Sequence, residues 1–171
     1  MNDICSTTSE LPWPTSDGFG VVLGTDCRVL RTERHTQKKG HLGSHPWNLA
    51  TILASDKFRS WRVRQYIRLY YTLTSTMMIM EDGESGKALV DFCEKGCHRS
   101  RAWGFIQAAI MQRMGFVVNI NAICMKAMFF NCANPQRDSC EECSYDHPDV
   151  QEVLKVATDE FFEVICALEH L

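Results

Sequence analysis

The chain has 171 residues, a length that suits one domain with one substantial core. Nearly half of its residues are hydrophobic, which argues against general disorder. No run approaches the ~20 apolar residues that a membrane span needs, and the polar first ten residues do not resemble a secretory signal. Because the nine cysteines are an odd number in a chain without such a signal, we expect reduced thiols and a cytoplasmic protein.

The net charge of −3 conceals an uneven distribution of charge along the chain. Residues 28–68 contain ten Lys or Arg against two acids, whereas residues 138–171 contain ten acids and one Lys. A basic stretch in an acidic chain is typical of a phosphate-bearing partner, so RNA binding by residues 28–68 is one hypothesis. The alternative is that these bases coat solvated helix faces.

The first elements in chain order are a lead-in and a strand. Residues 1–18 carry two prolines and a glycine as breakers and are interpreted as a mobile lead-in. Residues 19–25 form a β-type run that is followed by Asp26 and Arg28. Since open α/β sheets bind ligands at the carboxyl ends of their strands, this pair is a candidate ligand contact. A turn with a solvated Asp and Arg is the alternative.

A long loop and a helix come next. Residues 29–47 hold basic residues, histidines and glycines, and we interpret them as a functional or mobile loop. Apolar residues at helical spacing predict a helix from about Asp56 to Thr76, with Ser55 as its N-cap. Its aromatic residues are interpreted as core. Its arginines, Arg62 among them, are interpreted as lining the site or facing water.

The centre of the chain is a strand, turn and helix. Residues 88–93 read as a short apolar strand, residues 94–98 as a tight loop, and residues 99–114 as a helix that ends at Gly115. This geometry aims backbone N–H groups and the positive end of a helix at an anion. The sequence therefore predicts an oxyanion site, and phosphate is the anion that we expect.

The predicted site combines this loop with the end of the first strand. Its phosphate- and ligand-binding residues are Asp26, Arg28, Cys93, Gly96, Cys97, His98, Arg99 and Ser100. Each has a structural alternative: Cys93 also suits a buried strand-end thiol. Arg99 also suits a structural ion pair with Asp91 or Glu94.

The second half of the chain completes the expected fold. Residues 116–123 form another β-type run, so the strands around the central helix predict a parallel, right-handed βαβ unit. An apolar stripe predicts a C-terminal packing helix over residues 148–170. We therefore expect a single α/β domain over residues 19–171, with a mostly parallel sheet and helices on its faces.

A cysteine-rich segment, residues 126–147, separates that run from the last helix. It holds Cys132, Cys140, Cys143 and His147, with the spacing Cys-x7-Cys-x2-Cys-x3-His. Three thiols and an imidazole can hold a tetrahedral zinc ion. The alternative is a loop of reduced cysteines, because a second Cys-x2-Cys pair is absent.

The central loop also has the Cys-x2-Gly-x2-Arg-Ser spacing of cysteine-dependent phosphatases. In that chemistry the arginine forks two phosphate oxygens and the cysteine thiolate attacks phosphorus. Cys93 would be the nucleophile. Phe92 stands where these enzymes usually carry a histidine, and the Trp13-Pro14 pair is followed by Thr15 rather than by an acid.

The same loop resembles the Cys-x-Gly-Gly-x-His-Arg-Ser loop of the RapZ C-terminal domain family, the domain of a bacterial RNase adapter protein. Cys93, Gly96 and the run 98–100 match, Lys95 replaces the first glycine, and Asp26-Cys27-Arg28 resembles the family's Asp-x-Arg element. The resemblance covers residues 19–124. It implies a non-catalytic domain that binds a phosphorylated amino sugar in a protein that also contacts RNA. We take phosphosugar binding as the first hypothesis, a phosphatase as the second and RNA binding as the third.

Overall fold

The computed structural model describes residues 20–30, 43–77, 87–93, 99–120 and 141–170. These residues are mostly helical, with a small parallel sheet. The elements are β1 (Gly20–Asp26), α1 (Pro46–Ala54), α2 (Asp56–Met77), β2 (Lys87–Phe92), α3 (Arg99–Arg113) and α4 (Pro148–Glu169). Single 3₁₀ turns cover Cys27–Val29 and Glu141–Cys143. None of the helices described here is long and apolar enough to cross a membrane.

The sheet consists of β1 and β2, which run parallel. Their register pairs Gly20 with Lys87 and Asp26 with Phe92, with one irregularity between Val21 and Leu23. Parallel strands need a long crossover, and α1 and α2 lie within the connection between these two. Both strands were predicted from their apolar runs, and a two-stranded parallel sheet among helices is compatible with the expected α/β class.

The predicted strand over residues 116–123 is wrong where the structure describes it. Gly115 has a φ of +92°, and the amides of Gly115 and Phe116 donate to the carbonyls of Gln112 and Met111, which ends α3. Residues 116–120 then continue as irregular chain with a fully exposed Val117, while residues 121–123 lie outside the described part. Apolar alternation does not make a strand without a neighbour to pair with, so the expected βαβ unit around α3 is not formed by the described residues.

The core lies where α2, α3 and α4 meet. The Trp103 ring packs edge-on against Trp61 at 4.8 Å and stacks on Tyr66 at 5.6 Å, and Tyr66 meets Phe161 edge-on at 5.6 Å. The interpretation of the α2 aromatics as core is confirmed for the most buried of them, and α3 is largely buried as expected. Helix α3 packs against both α4 and β2, so this core positions β2 and the first turn of α3.

Two helices begin in the same unexpected way, with a His-Pro pair. Helix α1 starts inside the predicted loop, where the Nδ1 of buried His45 accepts the Trp47 amide at 3.1 Å. His45 Nε2 donates to Glu142 at 3.0 Å, which ties the start of α1 to the turn before α4. At α4, His147 Nδ1 accepts the Asp149 amide at 3.3 Å. Each imidazole thus replaces the hydroxyl or carboxylate that usually caps a helix.

Arg62 neither faces water nor lines the predicted site. Its side chain is only 4% exposed. The guanidinium forks the Glu160 carboxylate at 2.8 and 3.1 Å, and its third nitrogen donates to the carbonyls of Ile52 and Ser55. Tyr66 donates to the same carboxylate at 3.0 Å. The expectation for Arg62 is therefore corrected: its charge is neutralised across the α2–α4 interface.

Candidate functional site

The carboxyl ends of both strands meet the first turn of α3. Asp26 is the last register partner in β1 and lies opposite Phe92, and Cys27 and Cys93 follow them directly. Arg99 is the first residue of α3. This edge is where parallel sheets place ligands.

Asp26 and Arg28 form a hydrogen-bonded ion pair at this edge. The Arg28 guanidinium donates to both Asp26 oxygens, at 2.6 to 2.9 Å, and the Arg28 amide donates to Oδ1 at 2.9 Å. The side chains are 59% and 42% exposed for Arg28 and Asp26 respectively, and the guanidinium lies over the Phe92 ring at 5.8 Å. Hydrogen bonds from Arg28 hold the pKa of Asp26 below its ordinary value, with a smaller contribution from the Arg99 charge.

Arg99 and Ser100 connect α3 to the two strand ends. Arg99 donates from one terminal nitrogen to the Arg28 carbonyl oxygen at 2.7 Å, and the charges of both arginines act on Asp26. The buried Ser100 hydroxyl lies 3.3 Å from the Cys93 sulfur. A hydroxyl that donates to sulfur favours the thiolate over the thiol. Two guanidiniums, a hydroxyl and a sulfur thus share one edge.

Under this edge lies a buried polar layer that the sequence reasoning missed. Asp91 is the register partner of Thr25, and a Cβ on Gly104 of α3 would be 3.4 Å from its Oδ2. With its amide nitrogen turned towards Asp91, Gln107 donates to the two carboxylate oxygens at 2.6 and 3.2 Å and accepts from Trp103 Nε1 at 3.1 Å. The sequence carried one signal for this layer: an acid inside an apolar strand, Asp91, followed by a helix with an internal glycine, Gly104.

Burial changes the acid–base properties of this layer. It raises the pKa of Asp91 to about 7, although the nearby Thr25 hydroxyl acts in the opposite direction. Burial also raises the pKa of the Cys27 thiol, and the neighbouring charges of Asp91 and Cys93 raise it further. Cys27 is fully buried and donates weakly to the Thr25 carbonyl at 3.8 Å. Cys27 is therefore a thiol at neutral pH.

Five of the eight predicted binding residues lie in the described part of the chain, and all five come together. They are Asp26, Arg28, Cys93, Arg99 and Ser100. The other three predicted residues, Gly96, Cys97 and His98, lie outside the described residues. The predicted pairing of Arg99 with Asp91 is not among the contacts seen: Arg99 bonds to the Arg28 backbone.

The predicted zinc ligands are only partly described. Cys132 and Cys140 lie outside the described residues. Cys143 is buried, its carbonyl accepts from the Ser44 hydroxyl at 2.9 Å, and the His147 Nδ1 is used as a helix cap. Within the described ranges, no group of three or more potential ligands lies close enough for a metal. Zinc binding stays a prediction, and only the His147 Nε2 suits it as the imidazole ligand.

The basic stretch divides into residues with different surroundings. On α2, Lys57, Arg64 and Arg68 are exposed, and Arg68 bonds to Gln65 at 3.0 Å, while Arg62 is buried. The bases between residues 31 and 39 lie outside the described part. RNA binding by this stretch stays a prediction.

Comparison of the chain with models of known protein families, with curated proteins and with solved structures found no match.

Proposed function

We propose that the chain binds a phosphorylated small molecule at the edge formed by Asp26, Arg28, Cys93, Arg99 and Ser100. The observation that carries the proposal is that two arginine charges meet at this edge: Arg99 donates to the Arg28 carbonyl at 2.7 Å, and the charges of both arginines act on Asp26. Two guanidiniums at the end of parallel strands, beside a helix start, suit an anion such as phosphate. In line with the resemblance of the loop to RapZ C-terminal domains, the rest of the ligand is a sugar.

The roles of the residues follow from their contacts. The Arg99 guanidinium lies at the start of α3 and donates to the Arg28 carbonyl, and it is the group that we assign to the phosphate. Asp26 holds Arg28 in a fixed orientation and also presents carboxylate oxygens to a sugar hydroxyl or amine. Ser100 is buried against Cys93 and fixes the first turn of α3. The positive end of α3 adds to the attraction for an anion.

A phosphatase with Cys93 as nucleophile is the second candidate, and one contact favours it. The Ser100 hydroxyl, 3.3 Å from the Cys93 sulfur, suits stabilisation of a thiolate. Phosphoryl transfer to water also needs a general acid. At the described part of this edge the acids are Asp26, which Arg28 engages, and Asp91, which is covered by α3. We therefore prefer ligand binding without catalysis to the phosphatase.

The test compares ligands and variants in thermal unfolding. A hexosamine phosphate should raise the melting temperature of the wild type in a saturable way, and the parent hexosamine should not. Arg99→Lys keeps the charge but loses the fork, and we expect about 10- to 100-fold weaker binding, as for a lost hydrogen bond to a charged group. Arg113→Lys, at the far end of the same helix, is the matched control and should bind like the wild type.

Two results would overturn the proposal. One is an equal shift from the unphosphorylated sugar, and the other is unchanged affinity in the Arg99→Lys variant. Hydrolysis of an aryl phosphate by the wild type, abolished in Cys93→Ser, would establish the phosphatase in its place.

A further inference from the structure

Two cysteines end the two strands as neighbours. The last register pair is Asp26 with Phe92, and the residues directly after them are Cys27, which begins a 3₁₀ turn, and Cys93. Neighbouring strands are about 4.8 Å apart, and disulfides join Cα atoms that lie about 4.4–6.8 Å apart. The backbone therefore brings these two residues within the range that a disulfide needs.

The two side chains also share one side of the sheet. In β1, Leu23 and Thr25 are buried under the helices while Gly24 is exposed, so Cys27 continues the buried side. In β2, Leu89 and Cys93 pack against the core and Phe92 is 43% exposed. Consistent with this, a charge on Cys93 acts directly on the Cys27 thiol. Both are reduced in this structure.

We propose that Cys27 and Cys93 form an intramolecular disulfide when the protein meets hydrogen peroxide. Cys93 reacts first, because it is half-buried and lies beside the Ser100 hydroxyl, whereas Cys27 is fully buried. The Cys93 thiolate attacks the peroxide, the O–O bond breaks, and water leaves after protonation, giving a sulfenic acid. Cys27 then attacks that sulfur, the S–O bond breaks with loss of a second water, and the S–S bond forms.

The two thiols together lose two electrons, and hydrogen peroxide gains them. The proton of each thiol ends in one of the two water molecules. Cys27 has little thiolate at neutral pH because of its surroundings, which protects it from direct oxidation. Cys27 thus suits the role of the resolving cysteine, and Cys93 that of the reacting one.

The disulfide has a consequence for ligand binding that rests on the proposed function. A bond from Cys93 to Cys27 draws its sulfur from Ser100 towards the buried layer. Oxidised protein should then lose the thermal shift caused by the hexosamine phosphate, and a reducing agent should restore it. The covalent bond itself is read separately, so a protein that forms it without binding the ligand would refute only the proposed function.

Tryptic mapping of the full chain decides the proposal. Reduced protein is treated with hydrogen peroxide, its remaining thiols are alkylated in denaturant, and the digest is analysed by mass spectrometry. Cleavage after Arg28, Lys87, Lys95 and Arg99 separates peptide 88–95, with Cys93, from peptide 96–99, with Cys97, and leaves Cys27 in peptide 1–28. We expect a reducible link between peptides 1–28 and 88–95, with fragment ions placing it on Cys27 rather than Cys5.

Other maps would overturn the proposal. These are a link from peptide 88–95 to peptide 96–99, a link to Cys5, sulfinic acid on Cys93 without a link, and no reaction at Cys93. Cys27→Ser should abolish the link, and Cys166→Ser, at an exposed cysteine of α4, should leave it unchanged. If Cys27→Ser fails to fold, the wild-type map still gives the answer.

Discussion

Two aspartates at the ends of the strands have opposite electrostatic surroundings. Asp26 is exposed and held by Arg28, which lowers its pKa, whereas burial beneath α3 raises the pKa of Asp91 to about 7. At neutral pH the Asp26 carboxyl is therefore charged, whereas the Asp91 carboxyl is partly protonated. The partial protonation reduces the negative charge beneath a site that we propose for an anion.

Replacing Asp91 by Asn should change how stability depends on pH. Because the pKa is about 7 in the folded protein against an ordinary value of 3.8, the folded state binds more protons than the unfolded state between these values. The contribution of Asp91 to wild-type stability therefore falls by about 2–4 kcal/mol as pH rises from about 4 to 7, and then levels off. In urea unfolding, the stability of the Asp91→Asn variant relative to the wild type should increase from pH 4 to pH 7.

Asp26→Asn is the matched control, because the pKa of Asp26 is shifted in the opposite direction and its effect on stability has the opposite pH dependence. The lowered pKa of Asp26 contributes stability above its ordinary pKa of 3.8 and loses it as pH falls. That variant should be less stable than the wild type at neutral pH and should approach it in acid. A wild-type minus Asp91→Asn difference that stays constant from pH 4 to 8 would contradict the assignment of a raised pKa to Asp91.

At the scale of elements, α2 and α4 are joined by a buried ion pair. Arg62→Met removes the charge at similar length, which leaves the Glu160 carboxylate without its counter-charge and the Ile52 and Ser55 carbonyls without the Arg62 donor. Breaking such a pair on one side costs about 3 kcal/mol or more. We expect that loss in chemical denaturation, and we expect Glu160→Leu in the same chain to recover much of it.

The exposed pair between Arg113 and Asp159 supplies the comparison for Arg62. Its side chains are about half exposed, so Arg113→Met should cost less than about 1 kcal/mol. Equal losses in the Arg62→Met and Arg113→Met variants would show that burial does not strengthen the α2–α4 pair.

Features that depend on interactions between residues close in sequence could be predicted, and features that depend on distant partners could not. The apolar periodicity of α2, α3 and α4 and the glycine after α3 are local signals, and these helices were found within a few residues of their bounds. Helix α1 was missed because its cap is a histidine, a residue that seldom caps helices. Arg62 was misplaced because its partner, Glu160, lies 98 residues away. The same limit explains why Asp91 was left out of the site.

On the scale of the whole molecule, α4 is tied along its length to the first two helices. His45 meets Glu142 just before α4 begins, Arg62 meets Glu160 in its second half, and Tyr70 donates to Glu169 at its last residue. Because both partners advance together along the chain, α2 and α4 run side by side in the same direction. The described part of residues 19–171 therefore depends on its last helix for its core.

Removal of α4 should unfold the remaining chain. A truncation after Asp146 uncovers the face of Tyr66 that meets Phe161 and leaves Arg62 without its carboxylate. We expect this chain to show no cooperative urea transition, while a chain shortened only by residues 170–171 keeps the wild-type midpoint. In the full chain, tryptophan fluorescence, dominated in the core by Trp61 and Trp103, should change together with the helical circular dichroism signal. Separate transitions, or a folded protein truncated after Asp146, would show that α4 is a dispensable addition to an independent core.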